Sequence, residues 1–238
     1  MKKKRHIYFF LPNFSIGGAG NSIFNICNEI KNSTYSIQII SIGKNHYKNS
    51  FKKIGIKTIE LSNQKTIISI LKIFFLIKKK SKNNEIIFVS NINYANVLSA
   101  IFLKNINNLK LILIERTPFQ ELEIFFNFKD LIKKKIIFYL AKIFYKRADY
   151  IIGNSYTVSS YVESKINQKV LTKYPIIKIS NNIKKRYNKI LNISWIGRNT
   201  KEKNLNDFIK CLDLLKNHKV IINIITNENI KKKIQNVI

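Results

Sequence analysis

Apolar, strand-like runs recur along most of the chain, separated by longer segments with helical periodicity. The runs at 7–11, 37–41, 57–61, 85–89, 109–115 and 150–154 read as strands. Segments 22–30, 66–80, 94–103, 122–145 and 155–164 read as helices, the fourth as one helix or two. A strand with one wet face alternates apolar and polar side chains, whereas a continuous Ile/Leu/Val run suits a strand covered on both faces. Such strands, alternating with helices, build a parallel sheet with helices on either side and right-handed crossovers. The fold class expected is α/β, doubly wound and Rossmann-like.

A polar stretch at 178–189, KISNNIKKRYNK, interrupts this pattern. Beyond it, 191–196 and 220–225 read as strands around a helix at 204–216, which begins a second βαβ unit. The expected organisation is an N-terminal domain over 1–177, a linker over 178–190 and an incomplete C-terminal domain over 191–238.

The 238 residues include 43 Lys or Arg against 13 Asp or Glu, a formal charge of +30. Ile (47), Lys (38) and Asn (31) make up about half the chain, while Arg numbers 5. Codons for those three residues are rich in A and T, so compositional drift explains part of the excess. The remainder admits attraction to nucleic acid or to an anionic membrane. A hydrophobic share of 45% argues against disorder. Cys27 and Cys211 make no disulfide framework, and His6, His46 and His218 have no zinc-ligand spacing. No run approaches the roughly 20 apolar residues of a membrane span. The start, MKKKRHIYFFLP, lacks the apolar stretch of a signal peptide, so a cytoplasmic protein is expected.

Three loops carry candidate chemistry. Gly17-Gly18-Ala19-Gly20 lies between the first strand and the first helix. Glycines there let a ligand approach the backbone, and the helix start offers free N–H groups to an anion. The spacing departs from G-x-G-x-x-G, and the loop reads equally as a tight turn. A second loop runs from Trp195 to Asn204 and opens another helix. Its Arg198 offers a planar fork to phosphate oxygens and its Lys203 a point charge, unless both are simply solvated. The third, Glu115-Arg116-Thr117-Pro118, ends a strand, as a local ion pair or as part of a cleft.

Taken in order, the Gly-Gly loop, ADYIIGNS at 148–155 and WIGRNTKEKNLNDFIKCLDLL from Trp195 resemble the family 4 glycosyltransferases of the GT-B fold. Glu115–Arg116 resembles a segment of members that extend lipid-linked bacterial glycans. The resemblance implies retaining transfer from a nucleotide-sugar donor to a cell-envelope glycan or lipid-linked acceptor, with no metal or other cofactor. By position, Arg198 and Lys203 would hold the donor diphosphate, with Gly17 and Gly18 bringing backbone N–H groups close. Glu115 and Arg116 would line the acceptor-side cleft, and no catalytic residue is assigned. The family's E-x7-E motif has no counterpart, since the acids after Lys203 are Asp207, Asp213 and Glu228. A chain truncated within its C-terminal domain, and inactive in this form, is expected. The family often carries a cleft His, but Asn91–Asn93 occupies the comparable strand end here.

Segment 121–147 mixes Phe125, Phe126, Phe128, Phe138 and Tyr139 with Lys129, Lys133, Lys134 and Lys135. That composition suits a helix lying on an anionic bilayer, at the inner face of the plasma membrane, or a core helix with a Lys-rich solvent face. No nucleic-acid partner is expected, because Arg is scarce and no recognition motif is present. The alternative to an enzyme is a non-catalytic remnant or binding module that engages nucleic acid or membrane by charge.

Overall fold

The computed structural model describes residues 4–61, 65–117, 119–123, 127–177, 190–197, 203–215 and 219–226. The chain divides into two units, Met1–Lys178 and Ile179–Ile238.

The first unit runs β1 (Lys4–Phe10), α1 (Gly18–Ile30), β2 (Ser36–Ser41), α2 (Lys48–Lys53), β3 (Lys57–Glu60), α3 (Thr66–Ser81) and β4 (Asn84–Asn91). It continues with α4 (Asn93–Phe102), β5 (Leu109–Glu115), α5 (Phe128–Phe144), β6 (Tyr150–Gly153), α6 (Tyr156–Ile166) and β7 (Leu171–Thr172). The seven strands form one parallel sheet in the order β3-β2-β1-β4-β5-β6-β7. β1 and β4 pair in parallel at the centre, with Ile7 opposite Ile87 and Phe10 opposite Ser90. Strand order reverses between them, and a crevice opens above the carboxyl ends of strands at such a switch point.

The pleat sends successive side chains to opposite faces. Tyr8, Phe10, Ile86, Phe88, Leu111 and Leu113 enter one core, beneath α3, α4, α5 and α6. Ile7, Phe9, Leu11, Ile37, Ile39 and Val89 enter another with Ile23 and Cys27 of α1 and Phe51 of α2. Burial pushes the Cys27 thiol up to about 12, so it stays a protonated core side chain. The central strands β1 and β4 send apolar side chains into both cores, which is why Ile7–Phe10 and Ile86–Val89 read as unbroken runs.

Several expected bounds shift. β1 starts at Lys4, and Leu11 lies past its end while still donating to the Ile40 carbonyl at 3.2 Å. α1 starts at Gly18 rather than at 22, so Gly18, Ala19 and Gly20 form its first turn. Among the described residues, segment 122–145 holds one α-helix, α5, preceded by a 3₁₀ turn at Phe119–Leu122. α2 and β7 were not expected, being too short to display a period.

The second unit contains β8 (Leu191–Ile196), α7 (Leu205–Leu212) and β9 (Val220–Ile225). β8 and β9 pair in parallel from Leu191 opposite Val220 to Ile196 opposite Ile225. The helix expected over 204–216 ends at Leu212, and a 3₁₀ turn covers Asp213–Leu215. α7 buries Leu205 and Ile209, while Leu191, Ile196, Ile221 and Ile225 stay exposed. Most of the expected linker, 178–189, lies outside the described residues.

Candidate functional site

The glycine loop follows β1 and leads into α1 at the carboxyl edge of the sheet. Gly17 is the N-cap of α1, and no side chain caps this end. Asn21 N donates to the Gly17 carbonyl at 3.1 Å as the first intrahelical bond. Helix geometry therefore leaves the N–H groups of Gly18, Ala19 and Gly20 without intrahelical acceptors. Tyr47, just before α2, holds the loop: its hydroxyl donates to the Gly17 carbonyl at 3.3 Å. A Cβ at Gly20 would come within 2.6 Å of the Tyr47 ring, so the fold itself calls for glycine there. A Cβ at Gly17 or Gly18 would meet nothing within 4 Å. Those two glycines leave open space in front of a bare helix start.

The end of β4 lies beside the end of β1. Asn91 is fully buried, and its Nδ2 donates to the Phe10 carbonyl at 3.2 Å. That bond leaves Oδ1 as the acceptor, and it takes both Nη2 of Arg116 at 2.9 Å and Nε at 3.2 Å. Ile92 follows with φ 80 and ψ 135. A β-branched residue at positive φ is a genuine outlier, costing on the order of 1–3 kcal/mol, and such residues cluster at ligand sites.

Glu115 and Arg116 part company at the end of β5. Glu115 follows the parity of Leu111 and Leu113 into the core beneath α5, where it is fully buried. Its Oε1 accepts from the Tyr145 hydroxyl and, at 2.7 Å, from Asn96 Nδ2. Burial first, and the Glu115 carboxylate second, hold the Tyr145 hydroxyl well above the usual phenol range. Arg116 follows the parity of Ile112 and Ile114 to the other face. There it lines an apolar cavity of about 320 Å³ beside Ser22 and Ile26 of α1. Desolvation brings its guanidinium down to about 10. Of the sequence-expected pair, Arg116 faces a cavity and Glu115 anchors α5 to the sheet. Neither is the other's ion-pair partner.

In the second unit, Lys203 is exposed at the start of α7, and its carbonyl accepts from Trp195 Nε1 at 3.1 Å. Gly197 N donates to the Ile225 carbonyl at 3.0 Å, tying the end of β8 to that of β9. Arg198 lies outside the described residues. Ser155, the last residue of ADYIIGNS, caps α6, its Oγ accepting from Val158 N at 3.3 Å. Among the described residues, no group of three His, Cys, Asp or Glu side chains is placed to hold a metal.

Sequence reasoning missed Tyr47 and Asn96, and took Tyr145 only as one aromatic of segment 121–147. Tyr47 sits in a polar segment without periodicity, and the other two are helix residues that look like ordinary core. Asn91 was visible as a polar residue ending an apolar strand.

A parallel sheet ordered 3-2-1-4-5-6, with an open helix N-terminus and an arginine at its switch point, defines a doubly wound α/β protein, a class in which ligand crevices lie at the carboxyl edge of the strands. No protein-family profile and no curated protein matches the chain by sequence. Solved structures do match in fold. Anabaena Alr3699/HepE, crystallised with UDP and glucose, superposes with a TM-score of 0.68 at 14% identity, over 98% of this chain and 64% of its own. A glycosyltransferase from Rickettsia africae ESF-5 gives 0.65 at 17% identity, over 99% and 64%. The lipopolysaccharide outer core galactosyltransferase WaaB, in its apo form, gives 0.66 at 13% identity, over 98% and 64%. At such identities the likeness is one of fold, and the chain has the GT-B-like α/β architecture. It spans 64% of the length of each of these three chains.

Proposed function

We propose that the chain is part of a retaining, family 4-type glycosyltransferase that moves a sugar from a nucleotide-sugar donor to a cell-envelope glycan or lipid-linked acceptor. The observation that carries this reading is the bare start of α1, with open space at Gly17 and Gly18, set at the switch point of a GT-B-like sheet. Free N–H groups at a helix start suit phosphate oxygens. The similarity to HepE, crystallised with UDP and glucose, supports a nucleotide-sugar donor.

In the reaction the bond from sugar C1 to the diphosphate oxygen breaks, and the electron pair leaves with the diphosphate. An acceptor hydroxyl bonds to C1 and passes its proton to the departing diphosphate. Arg198 and Lys203 stabilise the departing diphosphate in place of a metal, since fixed cations act most strongly where charge develops. Arg116 serves the acceptor side. The 238 residues hold no E-x7-E pair after Lys203.

Helix α5 gives the acceptor a place to come from. Phe128, Ile132, Ile136 and Tyr139 are exposed along it at helical spacing, with Lys129, Lys133 and Lys135 exposed between them. Among the described residues no helix is long and apolar enough to cross a membrane. A cytoplasmic protein resting this helix on an anionic inner leaflet would meet lipid-linked acceptors there.

The test is nucleotide-sugar binding and transfer in a chain that carries an E-x7-E segment. Arg198→Ala and Lys203→Ala should each lower turnover by about 100- to 1000-fold, the cost of removing one group that faces developing charge. Turnover that is unchanged in both variants removes the clamp. A chain that binds no nucleotide sugar removes the function.

A further inference from the structure

We propose that Arg116 is an anion-anchoring residue, and that the acceptor this protein takes carries a phosphate-class group bound by the outer edge of its guanidinium. The acceptor assignment rests on the glycosyl-transfer reading above. The anion site rests on geometry alone.

Nε and Nη2 of Arg116 both donate to Asn91 Oδ1, and Asn91 is itself fixed by the Phe10 carbonyl. The guanidinium is thus locked to the strand ends of β1 and β4 by one edge. A guanidinium has five N–H donors in a fixed fork. Among the described residues no acceptor meets the Nη1–Nη2 edge, and no carboxylate lies within ion-pair distance of it. The adjacent acid, Glu115, points through the sheet to the opposite core. The lining of the cavity that Arg116 enters includes two cations, Arg116 and Lys173, and no carboxylate.

A desolvated charge without a counter-charge is costly, and it persists where something offsets the cost. Bridging β4 to β5 is not enough, since a neutral amide could accept or donate across the same gap without desolvating a charge. A planar fork with its outer edge free matches two oxygens of a phosphate. The donor diphosphate is assigned to Arg198 and Lys203 and to the backbone N–H groups at Gly17 and Gly18, and neither glycine lines the cavity that Arg116 enters. The phosphate at Arg116 is therefore the acceptor's.

The experiment uses the 238-residue chain with methyl phosphate as probe, at constant ionic strength maintained with chloride. The Arg116 Nε–H resonance is followed by NMR, in a chain with five arginines. Methyl phosphate should move it saturably. Arg116→Gln should weaken methyl phosphate binding roughly 10- to 100-fold, as expected for hydrogen bonds to a charged group. Arg116→Lys should fall between. Without ligand, Arg116→Gln should be as stable as the parent or more so, because it removes a charge that meets no counter-charge among the described residues. Three results would overturn the proposal. The first is a resonance that does not move. The second is an Arg116→Gln chain that is destabilised yet binds methyl phosphate like the parent, which marks a structural cross-link. The third is an equal loss of nucleoside diphosphate affinity, which would give the phosphate to the donor. Methyl phosphate binding needs no donor, so a chain that fails to bind nucleotide sugar but keeps this site loses the enzymatic reading alone.

Discussion

Adjacent residues at a strand end can serve unrelated purposes, and Glu115 and Arg116 do. Counted along the chain they look like an ion pair. Counted on the pleat they face opposite cores, and the same parity that buries Leu111 and Leu113 buries Glu115 against Tyr145. The glycine loop divides in a similar way. Gly20 is required by the Tyr47 ring packed against it, whereas nothing in the fold crowds Gly17 or Gly18. Gly18 opens α1, and alanine is the better helix former there. Gly18→Ala should therefore leave stability unchanged or raise it by up to about 1 kcal/mol in chemical denaturation. Its methyl group would occupy the space in front of the free N–H groups and weaken nucleotide-sugar affinity about tenfold or more. A variant that is less stable, or that binds the donor normally, would assign this glycine to the fold.

At the scale of elements, legibility followed length and burial. The long strands were visible because both their faces are buried, and α3 and α5 because they run for 16 and 17 residues. α2 has 6 residues with only Phe51 buried, and β7 has 2, so neither holds a full period of anything. α5 carries both of the characters its sequence suggested. Ala141 is buried, with Ile137, Phe138, Leu140 and Phe144 packed against the core, while Phe128, Ile132, Ile136 and Tyr139 face outward. Phe125 and Phe126 fall outside the described residues. The lysines differ as well. Lys134 reaches Asp130 at 3.1 Å, whereas Lys133 and Lys135 are exposed. A Lys133→Glu/Lys135→Glu chain, with Lys134 left in place, should keep its helical circular dichroism and lose binding to anionic vesicles. Each basic residue near such a surface contributes about 1 kcal/mol, and reversing two should abolish most of the attraction. Equal vesicle binding by the variant and its parent would make the outward stripe a surface with another purpose.

The whole molecule is uneven in how much sheet each unit holds. The first unit has seven parallel strands with helices on both faces, and its central strands β1, β4 and β5 are bonded on both edges. The second has β8 and β9 alone among the described residues, with α7 burying Leu205 and Ile209 and four apolar side chains of the two strands left exposed. Parallel sheets are stable when both faces are covered, and two strands seldom hold by themselves. Loop closure is not the difference, since the crossovers in the two units are of similar kind. What differs is the apolar surface that ordering each backbone can bury, and ordering costs roughly 1–2 kcal/mol per residue in either unit. Opening β8 and β9 should therefore take much less free energy than opening β4, which exchanges only when the first unit unfolds as a whole. Hydrogen exchange followed by mass spectrometry would read this directly. Peptides covering 84–91 should be protected to near the global stability of the first unit, and those covering 191–196 and 220–225 should exchange far earlier. Equal protection in all three would mean that the second unit is stabilised by something beyond its own two strands and one helix.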